Sequence, residues 1–321
     1  MLITEMSSPP VEILLLTCNR RPHLQELLNS LLAQKYPNWR IIARDNGSSD
    51  GSFDGLAEFQ RRYPERMDLQ TDDRRVNLGP VEGFARLLMV STAPYSMFCD
   101  CDDVWLPEKV DRTLSCMTRL EKCFSPDTPL LVHTELRVVN ASLATIADSF
   151  FRHQGLHPRP GRSLNRLLVQ NHVTGCTVAI NKPLRDLSLP IPTEAIMHDW
   201  WLALVAAAFG HIAFVSEPTI LYRQHGQNTL GAREWNARYV LRKMLTFYDT
   251  RDFQRSLDTT VAQAGKFLER YENRLDRTQQ RVVRAYTSLP EAGWFARRIR
   301  ILRCGLLKHG LIRNIRWLLQ A

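Results

Sequence analysis

Along the first hundred residues, short apolar runs alternate with longer stretches whose leucines recur every three or four positions. Val11 to Leu16 (VEILLL) is a short apolar run behind Pro9-Pro10 and predicts a buried strand. Pro22 then suits the first turn of a helix, where its missing N–H costs nothing. Leu24, Leu27, Leu28, Leu31 and Leu32 fall on one face of that helix. Trp39 to Ala43 predicts a second strand that stops at Asp45. Strand, helix and strand within about 35 residues make a βαβ unit. The rhythm continues with a helix over Asp54 to Tyr63, an extended piece within Met67 to Val76, a helix over Glu82 to Ser91 and a strand over Tyr95 to Cys99. Such alternation predicts an α/β fold with a mostly parallel, doubly wound sheet and helices on both faces.

Further on the pattern is less regular. Leu130 to Val139 and Cys176 to Ile180 read as strands, and so do Ile212 to Val215 and Thr219 to Tyr222. His198 to Phe209 reads as a helix, with Gly210 at its C′ position. Beyond Ala232 the chain becomes helical and charged. The expected organisation is one domain over 1–230 and a basic helical C-terminal extension over 231–321.

Charge sharpens that division. The chain holds 42 Lys+Arg against 33 Asp+Glu, but from Gly231 onward the counts are 19 against 8. The basicity therefore belongs to the tail, and points to nucleic acid, an anionic membrane surface, a phosphorylated partner or simply a solvated helical face. The longest apolar run, Trp200 to Phe209, is about half of the ~20 residues a bilayer requires. The opening MLITEMSSPP has no basic-then-apolar leader, and the seven cysteines are scattered without a CxxC. Both suit a reducing cytoplasm.

In doubly wound sheets ligands bind beyond the carboxyl ends of the strands. Three polar clusters sit at such ends: "TCNRR" (Thr17, Asn19, Arg20), "DNGSSDGS" (Asp45 onward) and "DCDD" (Asp100, Asp102, Asp103). Thr17 and Asn19 offer hydrogen bonds, Arg20 a phosphate or ribose contact, and Asp45 an acceptor for the N3–H of a uracil or thymine ring. Each also has a plainer reading as turn or helix-start chemistry. "NLGPVEGF" places Asn77 near a helix start, and Gly83 there would allow close backbone approach to a ligand.

Asp100 and Asp102 have the Asp-x-Asp spacing that suits a hard cation, Mg²⁺ or Mn²⁺, on substrate phosphates. Three acids so close repel unless something positive sits among them. Asp103 is expected to cap the helix that follows. Asp199 begins an apolar helix, either as its cap or as a catalytic base. Trp200 and Trp201 beside it offer platforms for sugar rings. His225, after a strand and before a glycine, is a candidate third metal ligand.

With "ILLLTCNRRPHLQELLNSLLAQ", "DNGSSDGS", "CDCDDVWLPEKV", "HDWWLAL" and "YRQHGQN" in order, residues 11 to 230 resemble family 2 glycosyltransferases of the GT-A fold. "DDVWLPEK", "HDWW" and "YRQHG" look most like bacterial rhamnosyltransferases of surface-polysaccharide assembly. The resemblance implies a nucleotide-sugar-binding half over about 11–105 and an acceptor-binding half over 106–230. It implies that Thr17, Asn19, Arg20 and Asp45 bind the nucleoside, that Asp100 touches the ribose or the metal, and that Asp102 and His225 hold the metal. Gly175, in "HVTGCT", would lie near donor and acceptor, and Asp199 would be the base of an inverting transfer. The implied donor is dTDP-L-rhamnose, or otherwise a UDP-sugar. The acceptor would be a glycan or lipid-linked saccharide, reached from the cytoplasm by a chain in peripheral contact with an anionic inner membrane. Cys101 departs from the glutamine common at its position, and could make the site sensitive to oxidation or soft metals.

Two rival readings share some of these features. A sugar-nucleotide nucleotidyltransferase would carry a glycine-rich, basic phosphate loop where this chain has "TCNRRP". A nucleic-acid-binding protein would explain the basic tail, but the acidic rim opposes it, and no nucleic-acid partner is expected.

Overall fold

A computed structural model describes residues 8–72, 76–156, 164–225 and 250–321, with side chains from 253 in the last stretch. The first part of the predicted extension, 231–249, lies outside these described residues, as do the closing residues of "YRQHGQN".

The predicted βαβ rhythm forms β1 (Val11–Thr17), α1 (Arg21–Leu32), β2 (Trp39–Asp45), α2 (Ser52–Arg62), β3 (Met67–Gln70), α3 (Gly79–Val90) and β4 (Tyr95–Asp100). These strands lie in the order β3-β2-β1-β4, all parallel. Their side chains divide between two cores. Leu14, Leu16, Ile42 and Phe98 enter one, while Ile13, Leu15, Ile41 and Met97 enter the other. Burial on both faces is why VEILLL is a continuous apolar run rather than an alternating one. Its exception, Glu12, is buried but accepts hydrogen bonds from Ser91 Oγ (2.6 Å), Thr92 N (2.7 Å) and Ala93 N (3.0 Å), and pairs with Arg40. Burial pushes its pKa up, but those bonds outweigh it and hold the carboxyl below its usual range.

The second half makes the sheet mixed. After β5 (Val104–Trp105) and α4 (Lys109–Phe124) come β6 (Leu130–Val139), β7 (Thr145–Ala147), α5 (Phe150–His153), α6 (Leu164–Val169), β8 (Ala179–Asn181), α7 (Lys182–Ser188), α8 (His198–Phe209) and β9 (His211–Arg223). From β4 the order runs β8-β6-β9-β5, with β8 antiparallel to both neighbours and β6 parallel to β9. Two expectations shift here. The strand read over Cys176 to Ile180 begins as a 3-10 turn at Gly175–Thr177, closed by Val178 N to Gly175 O (3.0 Å) and Thr177 Oγ1 to Thr174 O (2.6 Å). The two strands read over 212–222 are one, because the chain slips register opposite Glu135 around Pro218, which has no N–H for the ladder.

The helix over His198–Phe209 forms as the spacing predicts. Gly210 serves there by close approach rather than by a left-handed turn, since a Cβ would sit 1.6 Å from the Pro129 carbonyl oxygen. Helix α8 is apolar all round and needs cover on every side. Four tail helices supply it: α9 (Thr250–Tyr271), α10 (Arg277–Thr287), α11 (Trp294–Arg303) and α12 (Leu311–Gln320). Their Phe267, Tyr286, Ile301 and Trp317 share one core with Leu202 and Val205 of α8. Trp201 is part of that core. It is fully buried, packs on Phe267 and Tyr271, and donates Nε1 to Ser188 O (3.1 Å). It offers no face to a sugar, which corrects its assignment as an acceptor platform.

Candidate active site

Strand register assembles the rim. Thr17 lies opposite Asp45, and Leu16 opposite Asp100, so three strand ends deliver their polar residues side by side. The loops after β1 and β2 are laced together. Asn19 has a left-handed backbone (φ 52°), its N–H donates to Ser48 Oγ (2.8 Å), and its Oδ1 accepts from Ser49 N (2.9 Å). Arg20 N donates to Ser52 Oγ (3.0 Å) and Arg21 N to Asp50 Oδ2 (2.9 Å).

Asp45 is buried at this junction. Its Oδ1 accepts from Ser48 N (2.8 Å), but its Oδ2, like Thr17 Oγ1, meets no hydrogen-bond partner among the described residues. Each such orphan costs about 1–3 kcal/mol, which a ligand bearing matching groups would recover. Asn77 lies at the same rim but braces the loop. Its Oδ1 accepts from Gly79 N (2.9 Å) and from Asn46 Nδ2 (3.0 Å). Asn46, which the sequence reading passed over, also accepts from Leu78 N (3.0 Å) and so ties the two loops. Its place inside "DNGSSDGS" was the available signal. Gly83 faces inward: a Cβ would meet Leu16 at 2.8 Å, so its smallness serves helix-on-strand packing and not ligand approach.

At the end of β4, Asp102 Oδ2 accepts from both Arg20 Nε (3.1 Å) and His225 Nε2 (2.9 Å), and His23 stacks on His225 at 5.3 Å. Arg223 fixes this turn from below. Its Nε donates to Asp102 O (2.9 Å), its other guanidinium nitrogens reach Ala141 O and Glu26, and its backbone N–H donates to Asp103 Oδ1 (3.1 Å). Asp103 is therefore an anchor for β9, not the helix cap expected of it. Helix α4 starts only at Lys109, with no side-chain cap. Lys109 is itself buried, its ammonium 4.5 Å from the Trp105 ring centroid, and burial lowers it to about 8.

No described residue donates to the Asp100 carboxylate. Burial first, then the charges of Asp102 and Asp199, push it up to about 7. An acid held among acids is a setting that a hard cation relieves. The trio expected from sequence is not preassembled, because His225 is engaged with Asp102. The three possible ligand atoms that lie within 4.8 Å of one another belong to Asp100, Asp103 and Cys176. Burial holds the Cys176 thiol well above its ordinary value, so the hard oxygen pair is the better donor set. Burial raises the Cys101 thiol too. Its side chain sits in the second core, which removes the thiolate that oxidation or soft metals would need.

Across the rim, Asp199 occupies the first turn of α8, one residue inside the helix rather than at its cap. Asn171 Nδ2 donates to its Oδ1 (3.3 Å), and burial raises the carboxyl to about 7 against the backbone N–H groups of Trp200 and Gly175. Gly175 leaves the necessary room, since a Cβ there would lie 3.3 Å from Asp199 Oδ2. Trp200 is half-buried and its Nε1 donates to Leu167 O (2.6 Å). Asn171, in an irregular loop, carried no sequence pattern that would have singled it out.

Residues 12–131 match the model of the glycosyl transferase family 2. An uncharacterized protein of Mycobacterium tuberculosis is 28 % identical over 245 residues, 75 % of this chain and 64 % of its own length. The chain thus spans just under two thirds of those mycobacterial relatives. The dTDP-rhamnosyl transferase RfbG of Shigella flexneri is 26 % identical over 238 residues, covering 70 % of this chain and 76 % of RfbG. In three dimensions the chain superposes on S. aureus TarS in complex with UDP-GlcNAc with a TM-score of 0.57 at 13 % identity, over 96 % of this chain and 90 % of that one. It superposes on the mannosyltransferase PcManGT from Pyrobaculum calidifontis, in complex with GDP-Man and Mn²⁺, with a TM-score of 0.51 at 15 % identity, over 94 % and 81 %.

Proposed function

The chain carries a family 2 glycosyltransferase domain on a GT-A fold, and from that premise we propose that it is an inverting, metal-dependent transferase moving L-rhamnose from dTDP-L-rhamnose to a hydroxyl of a glycan or lipid-linked glycan. The observation that carries the reading is the meeting of two unlike acidic centres at one rim. The charges of Asp102 and Asp199 both raise buried Asp100, and burial raises Asp199 separately; the first two would serve a cation and the third would serve as base. The similarity to RfbG supports rhamnose over a UDP-hexose.

The orphaned Asp45 Oδ2 would accept the N3–H of thymine, with Thr17 and Asn19 beside it. Arg20, held by Asp102, would face the ribose and phosphates. Asp100 and Asp102 would hold Mg²⁺ or Mn²⁺, with His225 buttressing Asp102. When bound, the cation supplies countercharge to the departing nucleoside diphosphate. Asp199 would take the proton from the acceptor hydroxyl as it attacks the anomeric carbon, and Asn171 fixes the carboxylate for that transfer. A pKa of about 7 makes Asp199 a stronger base than an ordinary carboxylate, yet leaves it largely ionised just above neutrality. Inversion of a β-L-rhamnosyl donor would give an α-L-rhamnoside. Gly175, beside Asp199, would lie where donor and acceptor meet.

The test is a panel of sugar nucleotides assayed for Mg²⁺- or Mn²⁺-dependent release of nucleoside diphosphate. Release from dTDP-L-rhamnose, lost on chelation, is the expected result. Turnover of a UDP-hexose alone would move the donor assignment to that sugar, and release unaffected by chelation would remove the cation from the reading.

A further inference from the structure

Of the 13 large apolar side chains exposed among the described residues, 8 lie between Trp294 and Leu319. On α11, Phe295, Ile299 and Leu302 follow one another at helical spacing with Trp294 alongside. On α12, Leu311, Ile315 and Leu319 do the same with Ile312. Ile301 of α11 and Trp317 of α12, by contrast, are buried. The two exposed faces adjoin. Arg298 donates to Leu319 O (3.0 Å) and Ala321 O (2.7 Å), while its guanidinium lies 3.6 Å from the Trp294 ring centroid. Residues 292–321 contain seven Lys/Arg and no acid. No helix among the described residues is long and apolar enough to cross a membrane.

We propose that the outer faces of α11 and α12 insert together into the headgroup region of an anionic lipid bilayer. Two short amphipathic helices with aromatic and aliphatic outer faces and only cationic charge fit that environment on both counts. A second copy of the chain fits poorly, since it would set seven cations against seven more.

The surface is also wired to the acceptor side of the site, and this part rests on the transferase reading above. Asn165 Nδ2 donates to Gly305 O (2.9 Å), and His309 N donates to Gln170 Oε1 (3.0 Å). The segment so gripped supplies Leu167 O to Trp200 and Asn171 to Asp199. The turn that joins the two bilayer-facing helices thus holds the loop bearing Asn171, which would present the acceptor pocket to a lipid-linked saccharide.

The experiment is flotation of the full chain with vesicles of phosphatidylcholine alone or mixed with phosphatidylglycerol, without any sugar nucleotide. Binding only to the mixed vesicles, weakened by high salt, is expected. The double variant Phe295→Gln/Leu311→Gln changes two side chains that are each 76 % exposed, so its melting temperature should match the parent's while its vesicle affinity falls about tenfold or more. The proposal is overturned if the full chain does not float, if it binds phosphatidylcholine alone equally well, or if the double variant binds unchanged. Loss of self-association in the variant with vesicle binding intact would overturn it in favour of a protein interface. Failure here leaves nucleoside diphosphate release untouched, and an inactive Asp199→Asn that still floats would separate the two readings in the other direction.

Discussion

At the scale of single residues, the proposed chemistry concentrates on Asp199. It is buried, raised to about 7 and donated to by Asn171, so its protonation state should govern turnover. Below about 7 it carries a proton and cannot act as base, and above that it is ionised. We therefore expect kcat/KM for transfer to rise about tenfold per pH unit on the acid side and to level off above about 7. Asp199→Asn should lower kcat by about 10²–10⁴-fold and abolish that acid limb, with donor affinity little changed. A titration of kcat/KM between pH 5.5 and 8.5 (roughly the span that brackets the shifted group) decides it; an unchanged acid limb in the variant would assign the ionisation elsewhere. What sequence could show at this scale depended on whether a residue's role was local. The placement of Asp45, Asp100 and Asp199 was legible because each ends or begins an element. Asp103 was not, since its partner is the backbone of Arg223, 120 positions away. Gly83 was read as room for a ligand when it is room for Leu16, and one glycine letter is the same in both cases.

Elements explain the larger successes and failures. The β1–β2–β4 register places three polar clusters on one edge, and alternation of element types alone predicts that edge, because parallel strands joined by right-handed crossovers must end on the same side. Helix α8 shows the limit. With apolar residues on every face, its periodicity says nothing about which tryptophan looks outward, and Trp201 turned out to be the inward one. The turn out of α8 gives a sharp test. Gly210→Ala would drive a Cβ to 1.6 Å from Pro129 O unless β6 and β9 part at their first shared pair, Leu130 and His211. Overpacking of this kind should destabilise the chain by about 3 kcal/mol or more, seen as a lower midpoint in urea unfolding. An unchanged midpoint would mean that the turn yields freely.

For the whole molecule, the tail is cover and, as proposed, also contact. Its inner faces complete the core around α8, and its outer faces remain apolar and cationic. Composition located the positive charge but could not separate these two uses, because helical spacing in 294–319 marks apolar residues on both sides of the same helices. The two faces should respond differently to substitution. Trp317→Ala, on the inner face, should cost about 3–5 kcal/mol and lower the melting temperature of the full chain, whereas outer-face changes should leave it alone. Equal effects from both faces, measured by scanning calorimetry, would refute this division.

That arrangement bears on how the chain is made. Helix α8 emerges from the ribosome more than a hundred residues before Trp317, yet part of its apolar surface is covered only by residues up to that position. During synthesis the β1–β4 half can fold as it appears, while α8 waits with one side uncovered. Nascent chains stalled before α11 should therefore be the ones that chaperones hold longest.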